Sequence, residues 1–382
     1  MKLLLLLFST IILYSSCKKD PEDPIITDPK PIIYSFQGEI GANANSTIIS
    51  MDNNLLICGN TPGGICILKI SKTGSQIWRK DYNTGDGSSA SGIAQSGNQD
   101  VFICGSTYRN EIISKADVLL IKTTSSGDTL WTKTYGGSKD DFGSYIISTF
   151  DGNLLICGIS RNSTFDAFGN IFLIKVDTNG NTLWTRTYVE DQEIPFHVLQ
   201  TQNGEYLVTG TIHDTTSIRK MYLLKVGDDG IQNWSRKIES TRARWALSTV
   251  ELPNGELATC GLIDTDGLDQ ISLVKTDDKG NVIWEKEYGE DYLSEKGSAI
   301  QVNADGTFII TGHSFENHSG QTGIVLLKVD ENGDQLIRKD FGFAFIDYGR
   351  NILKDNNDDN IITGQYNGGI FMTRTDNNCV FK

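Results

Sequence analysis

Positive charge, histidine and helical periodicity are all scarce in this chain. Lys and Arg number 34 against 48 Asp and Glu, a net charge of −14. That balance excludes the basic footprint that nucleic-acid phosphates require. Only four histidines occur, at 197, 213, 313 and 318. Metal ligation needs ligands at a spacing set by one helix or strand, and these four do not offer it. Seven prolines and no long run of helical period leave strands and turns as the material of the fold. Glycine is plentiful by contrast, 39 residues, as a chain of many tight turns demands.

Seven cysteines could point to disulfides in an oxidising compartment. Their positions argue otherwise. Cys58, Cys104, Cys157 and Cys260 each stand just before a glycine, in a place that Thr209, Thr311 and Thr363 fill elsewhere. Equivalent sites in separate repeats lie too far apart to bridge, since a disulfide needs Cα atoms within about 7 Å. They read as small buried residues. Cys66 and Cys379 receive no role.

The place is defined by a repeat. Asn170-Ile-Phe-Leu-Ile-Lys175-Val-Asp177-Thr-Asn-Gly180-Asn-Thr-Leu-Trp184-Thr-Arg-Thr-Tyr188 returns along the chain at a period of about 50 residues. Its lysine recurs at 69, 122, 225, 275 and 328, with Arg374 in the last copy. Its tryptophan recurs at 78, 131, 234 and 284, with Ile337 in the sixth. Within the third copy, Ser144 to Thr149, including Tyr145, forms one strand and Asp151-Gly152 a hairpin turn. Asn153 to Gly158 is a second strand and Ile171 to Val176 an almost wholly apolar third. Asp177 to Gly180 then turns into a fourth, Thr182 to Tyr188. A glycine ends strand two seven times, at 59, 105, 158, 210, 261, 312 and 364. The last copy lacks its fourth strand, and Pro31 to Phe36 is a strand without a partner. The expected fold is all-β: a seven-bladed β-propeller of four-stranded antiparallel blades, closed by that N-terminal strand.

The spacing Asp-x-x-Gly-x-x-x-Trp resembles the tryptophan-docking repeat of quinoprotein-type propellers and the short propeller repeats of bacterial lipoproteins. The likeness covers about residues 32–376, and speaks to fold, not activity. No residues present themselves as ligands of a quinone, so no cofactor is expected. Sialidase-type propellers carry Ser-x-Asp-x-Gly-x-Thr-Trp, and here one more residue separates Asp from Gly. Asp330 to Asp334 begins like a calcium loop, but Gln335 and Phe341 occupy its sixth and twelfth positions, so it reads as a hairpin turn.

Met1 to Ser16 has one lysine, a short apolar run and small residues, the pattern of a signal peptide. Leu13-Tyr14-Ser15-Ser16-Cys17 resembles a bacterial lipobox, which implies a lipid on Cys17, an anchor that does not span the membrane. Residues 17–31, rich in proline and charge, form a tether to the domain of residues 32–382. The acidic run Asp20-Pro21-Glu22-Asp23 resembles the export signal of surface lipoproteins in Bacteroidota. The implied address is the outer membrane, surface-exposed, with the periplasmic face as the alternative.

The repeated tryptophans are expected to dock between blades, and Lys175 to pair with Asp177, two residues along its strand. One face collects carboxylates, among them Asp140, Asp141, Glu190, Asp191, Glu193 and Asp269. They read as a solvated rim, although glycoside hydrolysis also needs a carboxyl pair. Trp245 breaks the repeat register, flanked by Arg242 and Arg244, a grouping suited to stacking on a sugar or holding a carboxylate. The aromatics Tyr108, Phe165, Phe168, Tyr292, Phe343 and Phe345 fall on the same face. The expected ligand-binding set is Arg242, Arg244, Trp245, His197 and Tyr145, in a monomeric module for a glycan, peptide or protein. A glycan-active hydrolase or lyase using rim carboxylates is one alternative, and a scaffold in an envelope assembly complex another.

Overall fold

The structure, a computed structural model, describes residues 34–36, 44–84, 87–108, 115–161, 169–213, 218–316, 320–344 and 347–382. It is all β, with no helix among the described residues. After β1 (Tyr34–Phe36), the first repeat contains β2 (Ser46–Ile49), β3 (Leu55–Thr61), β4 (Gly64–Ile70) and β5 (Gln76–Tyr82). β6 (Ser89–Gln95), β7 (Val101–Tyr108), β8 (Ala116–Thr123) and β9 (Thr129–Tyr135) follow. Then come β10 (Asp140–Ser148), β11 (Leu154–Arg161), β12 (Gly169–Val176), β13 (Thr182–Gln200), β14 (Tyr206–His213), β15 (Arg219–Val226) and β16 (Gln232–Ile238). β17 (Arg244–Glu251), β18 (Leu257–Thr265), β19 (Leu268–Thr276) and β20 (Val282–Tyr288) precede β21 (Leu293–Val302), β22 (Phe308–Glu316), β23 (Thr322–Val329) and β24 (Gln335–Ala344). β25 (Tyr348–Lys354), β26 (Asn360–Tyr366) and β27 (Gly369–Thr375) end the series.

Seven separate sheets are expected from the repeat, but the strands form six, all antiparallel in their pairing. The cause is β13, 19 residues long. Its first part pairs with β12, Tyr188 opposite Ile171, and its second with β14, His197 opposite Thr209. A glycine follows this point in three other copies, at Gly136, Gly289 and Gly342, and Asn83 or Glu239 in the remaining two. Here Tyr188 is followed by the β-branched Val189, which continues an extended backbone. The N-terminal strand pairs as expected with the last repeat, Tyr34 opposite Met372 and Phe36 opposite Ile370. Residues 31–33 of that segment lie outside the described residues.

The second and third strands of the repeats are the most enclosed; every residue of β8 and of β23 is buried. Apolar side chains join each sheet to the next. Cys58 and Ile67 pack with Ile93 and Ile103, and Leu55 and Ile57 of the first repeat pack with Ile361 and Met372 of the last. A buried hydroxyl pair, Thr47 with Thr363 at 2.8 Å, lies on that same seam.

The tryptophans dock as their spacing predicts. Trp131 lies against Gly180 of the following repeat, where an added Cβ would stand 2.8 Å from the indole. Tyr135 donates its hydroxyl to the Gly180 carbonyl at 2.9 Å. Trp78 with Gly127, Trp184 with Gly230, Trp234 with Gly280 and Trp284 with Gly333 repeat the contact. These turn glycines have positive φ, 74° at Gly180, so the backbone and the indole both call for a residue without a side chain.

The expected Lys175–Asp177 pair is not formed. Lys175 is buried and bonds Asp151 at 2.6 Å, in the turn between β10 and β11. Asp177 instead accepts the N–H groups of Asn179 and Asn181, both at 2.8 Å, closing its own turn. Asp330 does the same for Asn332 and Asp334, the hairpin turn expected there.

Gly152 (φ 78°) has open space around its Cβ position, unlike Gly180 (φ 74°). Both alanine variants bear a left-handed backbone cost of about 1–2 kcal/mol. Gly180→Ala should lose about 1–3 kcal/mol more through overpacking against Trp131. Denaturant midpoints compare the two, and equal losses would remove the indole contact from this account.

Candidate functional site

The innermost strands share one irregularity. Their register slips between Ala90 and Gly92, Gly143 and Tyr145, Pro195 and His197, Ala246 and Ser248, Gly297 and Ala299, and Gly349 and Asn351. Such a bulge kinks the strand and re-aims a side chain. It also drives a carbonyl against the strand-two glycine. A Cβ on Gly105, Gly261 or Gly312 would stand 1.8 Å from the carbonyl oxygen of Ser89, Trp245 or Lys296. No other residue fits there, which is why the glycine recurs. The bulged residues Ser91, Ser144, Phe196, Leu247, Ser298 and Arg350 all line one cavity of about 800 Å³ between the inner strands.

Two groups of side chains give this channel its chemistry. On one wall Tyr145 and His197 meet edge to face, ring centroids 5.0 Å apart. On another, His313 and Tyr348 meet edge to face at 4.5 Å, with Lys296 directly opposite His313 in the β-ladder. The Arg350 guanidinium lies 5.7 Å from the Tyr348 ring centre. Burial pushes the His197 imidazole down to about 4. Burial first, then the charges of Lys296 and Arg350, push His313 down to about 3. Both rings are therefore neutral at pH 7. Nδ1 of each is buried without a hydrogen-bond partner among the described residues.

Of the residues expected to bind ligand, the structure brings Tyr145 and His197 together in the channel wall. Arg242, Arg244 and Trp245 lie elsewhere. Arg244 is 2% exposed and paired with Glu285, while Arg242 pairs with Glu287. Trp245 is half-buried under the Arg219 guanidinium, 4.9 Å from its ring centre. Cys17 lies outside the described residues, as do Phe165, Phe168 and Phe345 and the side chain of Phe343. Lys296, Tyr348 and Arg350 escaped the sequence reading. Aligning the repeats on the bulge would have exposed Arg350, the one charged residue among six otherwise uncharged bulge positions.

The rim carboxylates are partly structural, where a freely solvated rim is expected. Asp140 accepts the Ala116 N–H at 2.9 Å and Asp141 that of Gly137 at 2.9 Å. Glu193 is buried and accepts the N–H groups of Glu190 and Asp191 at 3.0 and 2.8 Å. Each folds back to hold the connection between repeats. Glu251 is the one carboxylate among the described residues lining the channel, and it accepts the Gln202 N–H at 2.7 Å. Among the described residues no group of three or more His, Cys, Asp or Glu is placed to hold a metal ion. The six described cysteines are free and buried.

Neither a family model nor a curated protein matches the chain. Solved structures do. A protein of unknown function from Dyadobacter fermentans DSM 18053 aligns with a TM-score of 0.51 and 11% identity, over 91% of this chain and 98% of that one. An ulvan lyase, described as a new family of polysaccharide lyase, gives a TM-score of 0.61 at 10% identity over 92% and 98%. A Hadza microbial sialidase gives 0.50 at 10% over 86% and 74%. The likeness is one of fold, an all-β architecture of the propeller type.

The two imidazoles predict an acid response. Unfolded histidine titrates near 6.5, so between about pH 6.5 and 4 the unfolded chain binds more protons and stability falls as pH falls. The contribution is intact above pH 6.5 and is lost on the way down to the folded values of about 4 and 3. Thermal unfolding of His197→Gln/His313→Gln should therefore show a flatter pH profile than wild type across that window. Identical profiles would mean the rings are not held neutral by the fold.

Proposed function

We propose that this chain is a lipid-anchored, seven-bladed β-propeller that binds a glycan in its central channel. Support for the ring comes from β1 completing the last sheet, from the first repeat packing on the last, and from β13 serving two units at once. Support for the anchor is the lipobox-like Leu13 to Cys17, and the acidic run after it favours the outer surface of the outer membrane.

The observation that carries the binding reading is the channel wall. A cavity of about 800 Å³ presents two ring pairs, Tyr145/His197 and His313/Tyr348, on rigid strands. Aromatic faces beside neutral polar groups suit a sugar, which offers C–H faces and hydroxyls together. The fold likeness to a polysaccharide lyase and a sialidase agrees with a glycan role. In this proposal Tyr145 and His197 are ligand contacts, whereas Arg242, Arg244 and Trp245 serve packing.

Catalysis is the second reading, and one contact favours it. His313 against Tyr348 places two groups that exchange protons within reach of a bound sugar. Against hydrolysis by a carboxyl pair stands the structural use of Asp140, Asp141 and Glu193. A time course of new chain ends separates the readings: binding without cleavage favours the module, and cleavage lost in Tyr348→Phe favours the enzyme.

Titration of the purified protein against a glycan panel should find a ligand whose affinity drops about tenfold in Tyr145→Ala and in Tyr348→Ala, the scale of one lost stacking contact. An affinity indifferent to both substitutions would place binding outside the channel. In cells, Cys17→Ser should move the protein from the membrane to the soluble fraction, and unchanged membrane association would remove the lipid anchor.

A further inference from the structure

Buried cations in this molecule are normally matched. The repeated strand-three lysines all have a carboxylate: Lys69 with Asp52, Lys122 with Asp100, Lys175 with Asp151, Lys225 with Glu205 and Lys275 with Glu256, at 2.5 to 2.8 Å. Lys328 reaches Asp305 at 3.8 Å. Such matching is expected, because an unpaired charge taken from water costs several kcal/mol. Lys296, half-buried, and Arg350, exposed on the cavity wall, have no such match. Both line the channel, and neither has an ion pair among the described residues. Asp269 is close enough to favour the charged form of Lys296 but is itself engaged by the Ser294 hydroxyl at 3.3 Å. Two like charges thus share a wall in a protein whose net charge is −14. Burial, and then the neighbouring guanidinium, hold the Lys296 ammonium below its usual range.

We propose that Lys296 and Arg350 are the specificity determinants of the channel, and that they select an acidic saccharide by binding its carboxylate or sulfate ester. The inference rests on the channel being the saccharide site. The chemistry follows from the missing partner: an ammonium and a guanidinium left without a carboxylate acquire one, or its equivalent, from the ligand. The neutral His313 ring, opposite Lys296, has a buried Nδ1 still without a partner. It offers a hydrogen bond without adding a third charge. Phe315, two residues along β22 and on the same strand face as His313, is exposed, and Tyr292 beside β21 is more so.

Calorimetric titration tests this with three tetrasaccharides: a uronic-acid oligomer, a sulfated galactan oligomer and an uncharged glucan oligomer. Free uronate and inorganic sulfate serve as monomeric controls. One or both acidic tetrasaccharides should bind at least about tenfold tighter than the uncharged one, with affinity falling as salt rises. Lys296→Gln and Arg350→Gln should each remove about tenfold or more of that preference, and Lys296→Arg should retain most of it. The same two glutamine variants should melt within about 2 °C of the wild-type temperature, since neither removes an ion pair or a buried charge. That result also excludes misfolding as the cause of lost binding.

Equal affinity for charged and uncharged tetrasaccharides, both sensitive to Tyr348→Ala, would overturn the anion inference while leaving the glycan site standing. Tight binding of free sulfate or uronate, with no gain from the attached chain, would keep the cation pair and overturn the saccharide. Acidic binding that survives both glutamine substitutions, or acidic tetrasaccharides that fail to bind at all, would overturn the proposal outright.

Discussion

The repeats hold to one another through a contact that requires the absence of a side chain. An indole from one outer strand rests on the bare Cα of a turn glycine in the next repeat, and a tyrosine hydroxyl from the same strand bonds that glycine's carbonyl. The indole buries a large aromatic area, the hydroxyl loses no hydrogen bond, and the left-handed turn closes a hairpin. Each outer strand, half-exposed by itself, is thereby completed by its neighbour. The exception supports the rule. Where the sixth copy has Ile337 in place of tryptophan, the facing turn has Cys379 in place of glycine, still at φ 58°. Phe341 packs edge to face on Phe381 there, 5.1 Å between ring centres. A smaller side chain on one partner admits a Cβ on the other.

Within each repeat a second constraint decides what the channel displays. The inner-strand bulge needs the strand-two glycine, and once both are present the bulged residue is free to vary. It is serine in three copies and apolar in two, and only once a guanidinium. Two residues before five of the six slips lies a different set: Asp141, Glu193, Arg244, Glu295 and Asp347, all buried. These hold the chain as it crosses between repeats. Their polarity reverses between neighbours without loss of pairing. Glu295 bonds Arg338 of β24, and Arg244 bonds Glu285 of β20, the equivalent positions with signs exchanged. Burial of such a group is tolerated when its partner is present and costly when it is not. Against that background the lone cations of the channel stand apart from the framework charges that resemble them in sequence.

Much of this architecture was legible before any coordinates, because repetition turns one sequence into several observations of the same site. The turn glycines, the docked indoles and the unpaired cysteines follow from positions that recur. The partner of Lys175 did not follow. The alternation of a strand places Asp177 on the correct face, but that carboxylate is already used by its own turn, a competition that spacing cannot weigh. Trp245 and its two arginines drew notice by breaking the pattern, and the structure engages them with Arg219, Glu285 and Glu287. Arg350 was hidden for the opposite reason. A bulge re-aims a side chain that strict alternation would assign to the other face, so Arg350 looked like any surface arginine.

β13 and β1 are opposite extremes of the same joint. Two repeats share β13, a strand of 19 residues whose first part pairs with β12 and second with β14, so the backbone passes between them without leaving the ladder. The joint made by β1 rests on three paired residues against β27. A proposed ring with a welded seam on one side and a short clasp on the other has a place where breathing begins. Amide protons along β27 should thus exchange before those of β12 and β14, and the pore would widen from the side where Arg350 sits.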